Sequence, residues 1–138
     1  MSRFVLDASV VLTWCFPDEA SQKAVEISER FAAGDRAVVT PFWRLEVLNA
    51  MLTGERRKRL TRDLTAVFIE DLNRLPIDHD DASNGLVAFA STQELCRRHE
   101  LTAYDAAYLE IAIRNRIGLA TLDRDLIRAA AAENVTLL

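Results

Sequence analysis

Short apolar segments alternate with longer amphipathic segments along the whole sequence. The short segments are typical of buried β-strands, and the longer ones have the apolar spacing of helices. Strands that alternate with helices favour a parallel sheet covered on both faces. We therefore predict an α/β fold, with strands at residues 3–7, 37–39, 75–77, 118–122 and 135–138.

The predicted helices fill the intervals between these strands, at residues 19–33, 41–53, 61–74, 84–99, 102–116 and 124–133. Thr40 has the residue type of an N-cap, and Pro41 suits the first position of the helix that follows it. No repeat, low-complexity tract or Gly/Ser linker interrupts the alternation. We therefore expect residues 1–138 to form a single domain.

Composition excludes several classes of protein. With 17 basic and 21 acidic residues the net charge is −4, which argues against binding nucleic acid by bulk attraction. The longest run without a charged residue, Ala82 to Gln93, is too short to cross a membrane. An apolar N-terminal stretch interrupted by Asp7 does not resemble a signal peptide. We expect a cytoplasmic protein.

Four acidic residues stand where a parallel α/β sheet places its ligands, beyond the carboxyl ends of the strands. Asp7 ends the first predicted strand and Asp123 follows the fourth. Glu46 lies on an apolar helix that we predict to be largely buried, and Asp105 stacks over the inward stripe of another helix. Glu110 points away from Asp105 and is expected in solvent.

Each of these acids has an ordinary structural role as an alternative. Asp7 and Asp123 can cap the helices that follow them. Asp105 has the spacing of a capping box, in which it would reach back to a backbone N–H. Glu46 can pair with Arg44. Only if all four carboxylates meet at one edge of the sheet do they form a site.

Such a meeting would have chemical consequences. Two carboxylates about 5 Å apart repel by roughly 3 kcal/mol at an effective dielectric near 20, so a cluster of four would protonate, rearrange or bind a cation. Oxygen ligands select Mg²⁺ or Mn²⁺ over zinc. A metal ion of this kind can activate water and neutralise a phosphodiester in its transition state. Because the sequence shows no nucleophilic Cys or Ser–His arrangement, metal-activated water is the favoured chemistry.

Four segments resemble, in order, the acidic motifs of PIN-domain ribonucleases, and most of all those of VapC-type toxins from bacterial toxin–antitoxin pairs. They are residues 5–9, 44–50, 101–109 and 119–126. The resemblance implies a three-layer α/β/α sandwich around a central parallel sheet of strand order 3-2-1-4-5. It implies a Mg²⁺- or Mn²⁺-dependent endoribonuclease that cleaves RNA as a toxin. It also implies a homodimer and a small VapB-like antitoxin that inserts a basic side chain into the acidic site.

By motif position, the resemblance makes Asp7, Glu46, Asp105 and Asp123 the catalytic acids and metal ligands, with Asp7 and Asp105 as the most direct ligands. The same positions imply auxiliary residues that would orient the carboxylates or support them. These are Ser9, Asn49, Thr121 and Asp125.

A basic stretch follows the predicted helix that carries Glu46. It consists of Arg56, Arg57, Lys58 and Arg59. Because the whole chain is acidic, RNA would be attracted by a local patch of this kind and by bound metal, and we predict that the stretch contacts RNA. The alternative is a solvated connection between two helices.

Three other classes of protein share some of these features. A phospho-accepting receiver domain needs a lysine after a late strand, but the lysines are Lys23 and Lys58. A haloacid-dehalogenase-type phosphatase needs a second Asp where Ser9 stands. A catalytically inactive PIN-fold binding module would keep all four acids, and it stays open as the alternative function.

Overall fold

A four-stranded parallel sheet forms the centre of the protein in the computed structural model, which describes residues 2–138. The strands lie in the order β3-β2-β1-β4. Their bounds are β1 (Arg3–Leu6), β2 (Arg36–Val39), β3 (Ile77–His79) and β4 (Gly118–Ala120). The predicted α/β class and parallel sheet are therefore confirmed.

The predicted fifth strand is reduced to one parallel bridge. Leu137 pairs with Leu119 of β4, where the Leu119 N–H donates to the Thr136 carbonyl at 2.9 Å and the Leu138 N–H donates to the Leu119 carbonyl at 3.1 Å. This bridge occupies the fifth position of the predicted order, beside β4.

Seven helices connect and cover the strands. They are α1 (Ala8–Cys15), α2 (Gln22–Ala32), α3 (Trp43–Arg56), α4 (Arg62–Asn73), α5 (Leu86–His99), α6 (Ala103–Asn115) and α7 (Arg124–Ala132). Parallel connections are right-handed, so the reversal of direction after β3 puts α1 to α4 on one face of the sheet and α5 to α7 on the other. Helix α1, a short helix directly after β1, lies outside the ranges predicted as helix. None of the helices described over residues 2–138 could span a membrane.

Two predicted boundaries are wrong by about two residues. Helix α3 begins at Trp43, with Phe42 in the N-cap position, and the Thr40 hydroxyl caps nothing. Strand β3 begins at Ile77, because Pro76 has no N–H to contribute to a ladder and offers only its carbonyl, which accepts from the Ala37 N–H at 3.0 Å.

The prediction that α3 is largely buried is also wrong. Only the stripe that packs against α1 and the sheet is buried, whereas Leu45 is 68% exposed and Leu48 and Leu52 are partly exposed. Helix α3 therefore has more apolar side chains than the core of this chain buries. Its outward leucines therefore form an unpartnered apolar face, which starts one residue before Glu46.

Glu110 is buried, contrary to the prediction that it lies in solvent. Its side chain is 5% exposed, because α6 is enclosed between the sheet and α5. The Arg114 Nε donates to Glu110 Oε2 at 2.8 Å, and the same guanidinium bonds Asp80 after β3. A buried carboxylate needs such a partner. The ion pair of Glu110 with Arg114 therefore stabilises the fold and is not part of the predicted site.

Candidate functional site

Asp7 stands at the carboxyl end of the central strand β1 and is 5% exposed. Its N–H donates to the carbonyl of Ala120 at the end of β4, at 3.0 Å. Although Asp7 occupies the N-cap position of α1, its side chain makes no capping bond. Its Oδ2 instead accepts hydrogen bonds from the hydroxyls of Ser9 and Thr121, both at 2.7 Å.

The two hydroxyls are themselves fixed by the backbone after β4. Ser9 Oγ accepts from the Leu122 N–H at 3.0 Å, and Thr121 Oγ1 accepts from the Asp123 N–H at 3.1 Å. Each hydroxyl has one proton, and the geometry directs both protons to Asp7 Oδ2. This arrangement holds the carboxyl group in place and leaves Asp7 Oδ1 without a hydrogen bond among residues 2–138.

Asp105 lies in the first turn of α6, on the other side of the site. The helix begins where the Thr102 hydroxyl accepts from the Asp105 N–H at 3.2 Å. The second half of the predicted capping box is missing over the described residues, since the Asp105 carboxylate does not accept from the Thr102 N–H. The Thr102 side chain nevertheless acts on the carboxylate, since it lowers the pKa of Asp105 against the larger effects that raise it.

Glu46 lies in the first turn of α3 and does not pair with Arg44, which bonds Asn73 Oδ1 at 2.9 Å instead. The partner of Glu46 is Tyr108 of α6, whose hydroxyl donates to Glu46 Oε1. Thus α3 and α6, on opposite faces of the sheet, meet over the ends of the strands.

Asp123 caps helix α7, as its structural alternative predicts. Its Oδ2 accepts from the Leu126 N–H at 2.9 Å. The same charge also acts on the site, since it raises the pKa of both Asp7 and Asp105. Asp123 can therefore cap α7 and also belong to the acidic cluster, because the cap uses only its Oδ2.

The electrostatics join all four acids. Burial is the largest cause that raises the pKa of Asp7, Glu46 and Asp105. Negative neighbours raise these values further: Asp123 acts on Asp7, and Asp7 acts on both Glu46 and Asp105. Hydroxyl donors oppose the shifts without reversing them. Each of the four carboxylates therefore interacts with the charge of at least one of the others near the carboxyl edge of the sheet.

The donor chemistry of this cluster suits a hard divalent cation. Across residues 2–138, no Lys or Arg side chain donates a hydrogen bond to any of the four carboxylates. In the same range, no three Asp, Glu, His or Cys side chains are close enough to form a ready metal site. Mg²⁺ commonly keeps several waters and takes only one or two carboxylates directly, so the residues present fit such an ion.

Two of the predicted auxiliary residues lie outside the cluster. Asn49 is exposed and bonds none of the carboxylates in the part of the chain that the structure describes. Asp125 is exposed and pairs with Arg128 at 3.5 Å, and its charge is the weakest of those that raise the pKa of Asp105.

The basic stretch lies at the far end of α3. At 1.5 Å per residue, Arg56 is about 15 Å along the helix axis from Glu46. Arg59 pairs with Asp18 at 3.1 Å and lies over the Phe16 ring at 4.4 Å. Arg57 and Lys58 remain exposed.

Sequence reasoning missed Tyr108. It is fully buried and belongs to a segment that was predicted only as helix. A signal was present, because a tyrosine at an inward helical position needs a buried partner for its hydroxyl. Here that partner is a member of the acidic cluster.

Comparison with known proteins agrees with this arrangement. Residues 4–132 match the model of the PIN domain family. The chain belongs to the PIN domain family. No curated protein has a matching sequence.

Several solved structures share the fold of this chain. The structure of PAE2754 from Pyrobaculum aerophilum has a TM-score of 0.68 at 18% identity, over 99% of this chain and 83% of that one. FitAcB from Neisseria gonorrhoeae has a TM-score of 0.66 at 16% identity, over 98% and 96%. VapBC2 from Rickettsia felis, bound to a promoter DNA fragment, has a TM-score of 0.65 at 15% identity, over 99% and 97%. The likeness covers the whole of the PIN domain described here.

The raised pKa values make stability depend on pH in a defined direction. Between the ordinary carboxyl pKa of about 4 and the higher values of the folded state, the folded chain binds more protons than the unfolded chain. The free energy of unfolding should therefore rise as the pH falls from neutral towards about 4.5 in metal-free buffer. The acids whose pKa is lowered, such as Asp78 and Asp80, weaken the fold only at still lower pH.

Asp7→Asn should reduce the dependence of the unfolding free energy on pH. We expect the variant to gain at least about 1 kcal/mol at neutral pH, or roughly 3 °C in melting temperature for a chain of this size. Asp63→Asn is the matched control, because Asp63 is exposed and has no ion pair over residues 2–138. Thermal melts with chelator present measure both. A loss of stability in Asp7→Asn would show that the charge is not under repulsion.

Proposed function

We propose that this PIN domain is a Mg²⁺- or Mn²⁺-dependent endoribonuclease that hydrolyses RNA phosphodiesters and acts in the cytoplasm as the toxin of a toxin–antitoxin pair. The observation that carries the proposal is the mutual repulsion of carboxylates near the ends of the strands, with no Lys or Arg side chain bonded to any of the four over residues 2–138. Such a cluster favours binding of an external cation.

The chain's own residues divide the work of the site. Asp7 and Asp105 would hold the ion directly, and the hydroxyls of Ser9 and Thr121 would fix the orientation of Asp7. Glu46 and Asp123 complete the anionic site, each with one oxygen committed and the other open. A bound ion supplies an activated water and neutralises charge on the phosphodiester in the transition state.

An antitoxin suits both the charge and the surface of this chain. The structural relatives include VapBC2 and FitAcB, which supports a small VapB-like partner here. A basic side chain from that partner would enter the acidic cluster, and the outward leucines of α3 offer it an apolar surface that begins beside Glu46. A second exposed apolar group, Leu86, Val87 and Phe89 at the start of α5, supports the proposed homodimer.

Cleavage of RNA should require both the metal and the acids. We expect the purified chain to cut single-stranded RNA with Mg²⁺ or Mn²⁺, to stop with EDTA and to resume when metal is restored. Asp105→Asn should lower the rate by about a hundredfold or more, while Asp63→Asn should not change it. Cleavage that survives EDTA would contradict the metal mechanism, and RNA binding without cleavage would favour the inactive binding module.

The role as a toxin predicts growth arrest that depends on the same carboxylate. Expression of the wild-type chain alone should slow the growth of a bacterial host, and expression of Asp105→Asn at equal level should not. Growth curves with immunoblots for expression make this measurement. Equal arrest by both chains would separate toxicity from the nuclease.

The exposed part of the basic stretch should contact phosphates. In the Asp105→Asn background, Arg57→Glu with Lys58→Glu should weaken RNA binding and lower the salt slope by about 1.4, because each lost contact to a single strand contributes about 0.7. The control pair Lys23→Glu with Arg74→Glu makes the same change in net charge at exposed sites elsewhere. If the two pairs have equal affinity and slope, the stretch is only a solvated connection.

A further inference from the structure

Tyr108 is buried behind the acidic cluster and makes a specific contact with one of its members. The side chain is fully enclosed, and its hydroxyl donates to Glu46 Oε1. The ring also packs edge-on against Phe42 at 6.3 Å between centroids, and the Phe42 carbonyl accepts from the Glu46 N–H at 3.1 Å. Tyr108 therefore contacts Glu46 directly and also contacts the residue that begins its helix.

Glu46 needs a hydrogen-bond donor that holds its side chain towards the other acids of the cluster. A glutamate has several rotatable bonds, and holding it in one rotamer has a cost in side-chain entropy. Repulsion from Asp7 and Asp105 acts in addition to that cost, and Glu46 is only half-buried, so solvent is accessible to it. Across residues 2–138, Tyr108 is the one side chain that donates a hydrogen bond to Glu46.

The charge of the side chain that donates this hydrogen bond to Glu46 is as important as the bond itself. An arginine in the place of Tyr108 would also hold Glu46, but its charge would cancel part of the field that attracts a metal ion. A phenol donates one hydrogen bond and adds no charge. It also occupies a single oxygen, Oε1, so Oε2 has no partner among the residues described.

We propose that Tyr108 is a positioning residue that fixes Glu46 with Oε1 bound and Oε2 presented to the metal site. This inference rests on the proposed function, since it assigns a role to the same site. It adds one residue, which acts through Glu46.

The test is the affinity of the intact chain for Mn²⁺, measured by the electron paramagnetic resonance signal of the free ion. Tyr108→Phe removes one oxygen and should weaken Mn²⁺ binding by about tenfold. Tyr104→Phe is the matched control, because Tyr104 lies one turn earlier on α6 and packs edge-on against the same Phe42 at 5.1 Å, but is 61% exposed and makes no such bond. We expect Tyr104→Phe to bind Mn²⁺ as the wild type does.

A double-mutant cycle separates positioning from general stability. In a Glu46→Gln background, Tyr108→Phe should change Mn²⁺ affinity by less than about twofold, because its effect passes through the Glu46 charge. An equal loss of affinity in both backgrounds, or no loss in either, would overturn the inference. Absence of Mn²⁺ binding by the wild type would overturn the metal site itself, and with it the inference.

Discussion

The burial of one negative charge at the end of the central strand organises the site. Asp7 is almost fully enclosed, and two hydroxyls, from Ser9 and Thr121, hold one of its oxygens. Those hydroxyls are in turn fixed by N–H groups that follow β4. The hydrogen bonds reduce the cost of burying the charge but do not cancel it, since the pKa of Asp7 stays raised. The alignment of β1 with β4 and the orientation of the carboxylate therefore depend on each other.

Much of this arrangement could be predicted because it depends on local rules. Alternating strands and helices specify a parallel sheet, and the carboxyl ends of its strands bring Asp7 and Asp123 to one edge. The position of Asp105 follows from the first turn of a strongly periodic helix. These inferences need only the direction of each element, which the sequence pattern contains. The strand order entered through the resemblance to PIN domains and agrees with the four strands found.

The errors arose where burial depends on contacts between distant segments. Periodicity shows that α3 is apolar but not how much of it the rest of the chain can cover, so Leu45 is exposed. Glu110 is buried in a network that includes Arg114, one turn later on the same helix, and Asp80, which follows the distant strand β3. The contact between Tyr108 and Glu46 joins helices on opposite faces of the sheet and has no local signature.

The hydrogen-bond partners of several arginines lie outside the acidic cluster, so these arginines do not neutralise its carboxylates. Arg36 bonds Asp78, Arg44 bonds Asn73, and Arg114 is held between two acids on the far side of α6. These three guanidiniums are thus committed to other groups, and none of them donates a hydrogen bond to the four carboxylates. The groups that do touch the cluster are neutral hydroxyls and backbone N–H donors, which orient carboxylates without neutralising them. The charge of the site is therefore available to a cation from outside the chain.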